Sequence, residues 1–250
     1  VDDRDSYVNK RIDVAGILMS NLFRQYYTKM IKDMKTNINK EFSSGSWKAT
    51  NDFNKIISNT NIYKIIKFST ITTGLKFALA TGTWGVGNAA QPARVGVSQV
   101  LNRHSYMSML SHLRRVNSPI GKDGKMTAPR HLHGSHAFRI CPCETPEGAS
   151  CGLVKNMALT TIVTNGNSSE IIIEYLKAMG VKPLHENING TRIFVNGKWY
   201  GSTNNPLELT TELKNLKIGC DIAPDTGIVY DVLDEQIRIN TDSGRCVRPL

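Results

Sequence analysis

From about Asp13 to Lys35, apolar residues recur at three- and four-residue spacing. Ala15, Met19, Leu22, Tyr26, Met30 and Met34 form one stripe, and Leu18, Phe23, Tyr27 and Ile31 widen it. That period predicts an amphipathic helix. Arg24, Lys29, Lys32 and Lys35 fall largely off the stripe, so its Met and aromatic side chains are expected to be core packing. Lys40 to Trp47 holds Ser43-Ser44-Gly45-Ser46 and reads as a loop. Thr50 or Asn51 can cap a second helix carrying Phe53, Ile56 and Ile57, and a further short helix carries Ile62, Ile65 and Ile66.

From Thr81 to Ala93 the pattern breaks into Gly, Asn, Thr and Pro around Trp84, which predicts a loop. Residues 94–116 are polar with scattered Val97, Leu101, Met109, Leu110 and Leu113. Residues 117–130 read as a second loop, because Pro119-Ile120-Gly121 and Asp123-Gly124 are turn signals. Residues 131–160 look irregular, turning strand-like from Gly152 to Val163, and Asn165-Gly166-Asn167 marks a turn and a boundary. The last third alternates element types. Ser169 to Met179 is a helix ending at Gly180. Arg192–Val195 and Lys198–Tyr200 flank Asn196-Gly197 as a β-hairpin. Asn205-Pro206 opens a helix running to about Lys217, and Ile228–Val232 and Gln236–Asn240 are short strands. The expected class is α+β: a helical segment, an irregular mixed middle and a small α+β module.

Charge sharpens this division. Of 250 residues, 31 are Lys or Arg and 21 are Asp or Glu, for a net charge of +10. Residues 69–160 hold 10 cations against 3 acids, Asp123, Glu144 and Glu147, while residues 161–250 hold 9 against 11. A segment that keeps cations and sheds anions suits a polyanion, or is simply a solvated basic face. With 40% hydrophobic residues there is enough apolar matter for a core, so wholesale disorder is excluded. No apolar run reaches the roughly 18 residues of a membrane span, and no signal peptide is visible. The five cysteines are expected as reduced thiols. The opening at Val1 and the end at Arg248-Pro249-Leu250 suggest an internal piece of a longer chain.

Little in the chain fits self-contained catalysis. His131, His133 and His136 precede Cys141, Cys143 and Cys151, but Cys141-Pro142-Cys143 is tighter than paired zinc ligands and no second Cys pair follows. No Gly-x-Ser-x-Gly elbow or protease signature accompanies His104, His112 or any cysteine. Gly82, Gly85 and Gly87 do not form a phosphate-binding motif. The three acids of the middle third are too few to hold a catalytic magnesium, and Glu144 and Glu147 are expected to pair with nearby arginines.

Longer motifs point further. Leu110-Ser111-His112-Leu113-Arg114-Arg115-Val116-Asn117-Ser118-Pro119-Ile120-Gly121-Lys122-Asp123-Gly124-Lys125 resembles the fork segment of the second-largest subunit of multisubunit RNA polymerases. The run from Cys141 to Asn156 resembles that family's CP-x-ETPEG-x-x-x-GL signature. Gly96 to Arg103, Asp2-Asp3-Arg4-Asp5 with Asp13-Val14-Ala15-Gly16, and Thr241-Asp242-Ser243-Gly244-Arg245 with Arg248-Pro249 are similar to further family motifs. The resemblance covers essentially the whole chain in order.

It implies three parts: the C-terminal half of a protrusion over residues 1–78, a fork over 79–158 and an external domain over 159–250. It implies that Gln99, Arg103, His112 and Arg115 line the path of nascent RNA, with Arg94 beside the first fork loop near the upstream end of the hybrid. Asn117 to Lys125 would be the second fork loop at the downstream edge of the DNA bubble. Arg114, Lys122 and Lys125 are expected to face nucleic acid there, Arg114 and Arg115 towards RNA and the lysines towards DNA. Arg130 and His131 would follow towards the active centre. Many relatives carry Gln where this chain has His131. Glu144, Pro146 and Glu147 would form a turn near the RNA 3′ side. Arginine suits such positions because its planar fork binds phosphate oxygens without reading sequence.

The implied activity is DNA-templated RNA synthesis by a complete enzyme containing magnesium, with no cofactor or metal in this stretch. The implied partners are template DNA, nascent RNA, ribonucleoside triphosphates, the largest subunit and other polymerase subunits, with no membrane. The family's acidic motif, hybrid-binding lysines and zinc clamp would lie beyond Leu250, and its lobe before Val1. Location would be the nucleus for a eukaryotic source, or the cytoplasm or virion for a large DNA virus. The rival readings are a stand-alone nucleic-acid-binding module and a small zinc protein.

Overall fold

The structure, a computed structural model, describes residues 3–44, 62–87, 93–122, 124, 126–183 and 190–248. It divides into two compact units, Asp13–His112 and Val1–Ile12 with Leu113–Leu250. These group residues differently from the three parts that the resemblance implies.

The first unit is helical: α1 (Ala15–Ser44), α2 (Ile62–Ile65), α3 (Ser69–Thr81) and α4 (Tyr106–Leu113). Helix α1 runs well past Lys35, and part of the expected loop at Lys40–Trp47 is helix. Ile38 and Phe42 continue the i, i+4 spacing from Met34, and no Gly or Pro intervenes before Gly45. Hydroxyls inside it are satisfied locally, since Thr28, Thr36 and Ser43 donate to the carbonyls of Arg24, Lys32 and Asn39. The second predicted helix, with Phe53, Ile56 and Ile57, lies outside the described residues.

Leu22, Tyr26, Ala78 and Trp84 form this unit's core. The expectation of a wholly packed α1 stripe needs correcting, because Phe23 is 49% and Tyr27 47% exposed. They fall one position beyond buried Leu22 and Tyr26, and one helix position is a rotation of about 100°. Helix α3 was not anticipated. Its apolar positions Ile71, Leu75 and Ala78 sit among Thr70, Thr72, Thr73 and Gly74, which are poor helix formers. Gly74 lets α3 approach α1, where an added Cβ would collide with the Tyr26 ring.

The second unit holds a five-stranded sheet in the order β4-β6-β5-β8-β7: β4 (Lys182–Pro183), β5 (Thr191–Val195), β6 (Lys198–Thr203), β7 (Gly227–Asp231) and β8 (Gln236–Asn240). Only β5 and β8 run parallel. Helices α5 (Glu170–Ala178) and α6 (Pro206–Ile218) pack on it. Ile172 and Leu176 from α5 and Leu209 and Leu213 from α6 meet Ile193, Val195, Ile237 and Ile239. The hairpin turns as expected, with Asn196 at φ 49° and Gly197 at φ 79°.

Two short ladders complete the unit. Strand β1 (Arg115–Asn117) pairs antiparallel with β2 (Val154–Asn156), and β3 (Ile162–Val163) with β9 (Cys246–Val247). The strand-like stretch from Gly152 to Val163 is thus two strands in separate ladders. All five cysteines are unbonded.

Candidate nucleic-acid interface

In the mixed unit, the β1–β2 ladder fixes the stems of two loops. Arg115 stands opposite Asn156 and Asn117 opposite Val154. The loop after Asn117 is thereby set against the turn from Glu144 to Cys151, and the Ser118 amide donates to the Leu153 carbonyl at 3.0 Å.

Thr145 pins that turn. Its hydroxyl donates to the Val154 carbonyl at 3.1 Å and accepts from the Gly152 amide at 2.9 Å. Asn156 donates from Nδ2 to the Glu144 carbonyl at 3.1 Å. With its backbone held from inside, the turn leaves Pro146 and Glu147 exposed, and Glu147 makes no ion pair among the described residues. The resemblance names the flanking acids and proline of this turn, whereas Thr145 and Asn156 build it. Their signal is visible in sequence only as polar residues at the two ends of one motif.

Arg130 binds the turn to the neighbouring loop. Its Nη1 donates to the carbonyls of Ala149 at 2.7 Å and Cys151 at 2.9 Å, and its Nη2 to that of Lys122 at 3.0 Å. Gly152 makes this possible. It has φ +71°, and a Cβ there would run into the Arg130 backbone. Arg114 is likewise turned inward. Its Nη2 donates to the carbonyls of Ala158 at 2.6 Å and Thr161 at 3.1 Å, and its Nε is buried. The geometry therefore gives Arg114 and Arg130 a different task from the expected phosphate contact: each guanidinium is committed to backbone carbonyls.

Arg115 and Lys122 remain outward. Both are exposed, and neither side chain has a hydrogen bond or ion pair among the described residues. Lys125 and Asp123 lie outside the described residues. His131 is exposed, and His133 bonds to Asp3 at 2.7 Å and to Ser135.

Behind this surface lies buried Lys155, whose Nζ donates to the Pro129 carbonyl at 3.1 Å and sits 5.7 Å from the Tyr7 ring centroid. Burial pulls its ammonium below the ordinary value, the charge of Lys10 adds to this, and Asp5 opposes it. Nothing in the pattern of apolar positions separates Lys155 from an exposed strand lysine.

In the helical unit, His112 and Gln99 form a pair. The Asn102 amide donates to His112 Nδ1 at 3.0 Å, which leaves Nε2 to carry the proton of a neutral ring and donate to Gln99 Oε1 at 3.0 Å. Gln99 also donates to the Gly96 carbonyl at 2.9 Å. Both side chains thus shape the segment from Gly96 to Asn102. Arg94 pairs with Asp13 at 3.0 Å. Arg103 is exposed with no polar partner among the described residues. The structure brings Gln99 and His112 together, and it places Arg115, Lys122, Arg130 and the Glu144–Glu147 turn around the other unit's ladder. Among the described residues no three His, Cys, Asp or Glu side chains converge on a common point.

The β1–β2 ladder thus carries a loop-built surface on which Arg115 and Lys122 stand exposed. Family comparison gives it a place. Residues 99–163 match the model described as RNA polymerase Rpb2, domain 3, and residues 193–250 match RNA polymerase Rpb2, domain 4. The whole chain is 43% identical to DNA-directed RNA polymerase II subunit RPB2 of Eremothecium gossypii and 45% identical to DNA-directed RNA polymerase II subunit 2 of Arabidopsis thaliana, spanning 20% of each. It is 38% identical, over 99% of its length, to DNA-directed RNA polymerase subunit 2 of Acanthamoeba polyphaga mimivirus, again spanning 20% of that protein. The chain belongs to the family of second-largest subunits of multisubunit RNA polymerases, and it spans about a fifth of the length of these relatives.

Proposed function

We propose that the chain works as part of a DNA-directed RNA polymerase, in which this stretch lines the RNA–DNA hybrid and the downstream fork while the complete enzyme adds ribonucleotides to an RNA 3′ end. The observation that carries the reading is the joint between the two family motifs: Arg130 and the β1–β2 ladder hold the loop after Asn117 and the Glu144–Cys151 turn as one scaffold. Template DNA, nascent RNA and ribonucleoside triphosphates are its ligands, and the largest and other polymerase subunits its partners. On this reading the magnesium of the complete enzyme is held by residues outside this stretch. A eukaryotic source places the protein in the nucleus, and a large DNA virus places it in the cytoplasm or virion.

Arg115 and Lys122 supply phosphate contacts here, and Arg114 supplies shape. In the complete polymerase, Arg115→Ala with Lys122→Ala is expected to flatten the plot of log affinity against log salt by up to about 2 units, at roughly 0.7–0.9 per phosphate. Sequence preference stays the same, because phosphates carry no base information. Arg114→Ala instead lowers stability by about 1–3 kcal/mol, through carbonyls left without donors, and leaves the slope unchanged. An unchanged slope in the double variant, or templated synthesis that does not need this subunit, would overturn the reading.

A further inference from the structure

The five-stranded sheet has two edges, and they are built differently. One ends in β4, which is only Lys182 and Pro183. A very short strand, a lysine and a proline are the usual devices that stop a further strand from pairing. The other edge is β7, with five residues, an unbroken antiparallel register with β8, and no Pro, Lys or bulge. In an antiparallel edge strand, every second residue turns its amide and carbonyl away from the neighbour. Among the described residues, no backbone group of Gly227–Asp231 has a partner other than β8. None of the five residues is buried, whereas Ile237 and Ile239 of β8 are. Ile228 and Tyr230 pack towards the helices, so Val229 points to the opposite face, where it is 50% exposed. Val232 and Leu233, which carry the strand into its turn, are 66% and 96% exposed. An extended polypeptide supplies the alternating donors and acceptors that such an edge lacks.

Charge decides what kind of polypeptide fits. From Ile218 to Ile237 the chain holds five carboxylates, Asp221, Asp225, Asp231, Asp234 and Glu235, and no Lys or Arg. Arg238 is shared between Asp231 at 4.0 Å and Asp234 at 3.6 Å. Lys217 and Arg245 donate to the carbonyls of Thr226 and Asp225. Asp221 and Glu235 are exposed and have no ion pair among the described residues. A nucleic acid would meet these carboxylates with its own negative charge, and a second copy of β7 would bring two such stretches together.

We infer that β7 is an acceptor strand for an extended polypeptide segment that alternates apolar residues with Lys or Arg. Backbone hydrogen bonds to Gly227–Asp231 hold the segment, and the surrounding carboxylates select its charge. The inference goes beyond the polymerase reading and takes from it only the assembly in which it is tested.

The test uses the complete polymerase with a photo-crosslinking amino acid at Val232, next to the strand. The probe is a labelled synthetic peptide of about ten residues that alternates valine and lysine. One control peptide carries glutamate for lysine, and another carries proline at alternate positions and cannot join a sheet. The expected result is a crosslink to the lysine peptide and slowed hydrogen exchange at Gly227–Asp231 when it binds, with neither effect from the controls. Val229→Lys puts a cation on the edge and is expected to weaken the binding about tenfold. Asp221→Asn with Glu235→Gln should weaken it about threefold at low salt. Unchanged exchange at buried Ile237 shows that each variant keeps its fold. No crosslink, a crosslink without slowed exchange, equal binding of the glutamate peptide, or a crosslink joining two copies of this chain would overturn the inference.

Discussion

His136 is buried against the edge of Tyr7, with ring centroids 4.9 Å apart. Burial, followed by the charges of Lys155, His133 and Lys10, holds its imidazole down from 6.5 to about 4, with Asp5 opposing. Above pH 6.5 the ring is neutral in both folded and unfolded chains. Below that, the unfolded chain takes up a proton that the folded site refuses, so stability falls until about pH 4 and then levels. The urea midpoint of the wild-type protein is expected to drop across that window, with a smaller drop in His136→Gln. Equal slopes in the two proteins would show that other groups carry the effect. The pH sensitivity of this residue was not legible in the sequence, where it is one of three histidines within six positions. What separates it from exposed His131 is depth alone.

At the scale of elements, two glycines in helices make opposite predictions. Gly16 in α1 has open space around it, so Gly16→Ala should hold or raise the melting temperature, since Ala is favoured in helices by about 1 kcal/mol. Gly74 in α3 faces the buried Tyr26 ring, so Gly74→Ala should destabilise by about 1–3 kcal/mol despite the same helix preference. Thermal unfolding of both variants separates propensity from packing. The same contrast explains which elements were readable. The β5–β6 hairpin was legible because Asn196-Gly197 encodes its own turn, and α6 because Asn205-Pro206 opens it. Helix α3 was not, because its Thr-rich, Gly-containing sequence becomes helical by packing on α1.

At the scale of the whole molecule, the end of the chain holds its beginning. The Ile12 amide donates to the Gly244 carbonyl at 2.8 Å, Arg11 pairs with Asp242, and the Gly244 amide donates to Thr164 at 2.9 Å. Arg245 turns inward to the carbonyls of Asp242 and Asp225. Gly244 has φ +84°, and a Cβ there would come within 2.6 Å of the Ile12 carbonyl oxygen. Gly244→Ala is therefore expected to release the opening segment and speed tryptic cleavage at Arg4, Lys10 and Arg11. An unchanged cleavage rate would mean that the segment is held elsewhere.

By itself the sequence determined the α+β class, the two helices, the hairpin and the last two sheet strands of the final third and, through long motifs, the family, but not the short strands β4 and β9. Periodicity and turn chemistry act between near neighbours in the chain, and the motifs are contiguous, so each can be read without knowing what lies across from it. Only the tertiary structure decided which arginines face outward. Arg114 and Arg115 are adjacent and chemically the same, yet a one-residue step along the chain as it enters β1 sends one guanidinium to the carbonyls of Ala158 and Thr161 and leaves the other exposed. Those carbonyls lie more than forty positions away in the chain, and only folding brings them within reach.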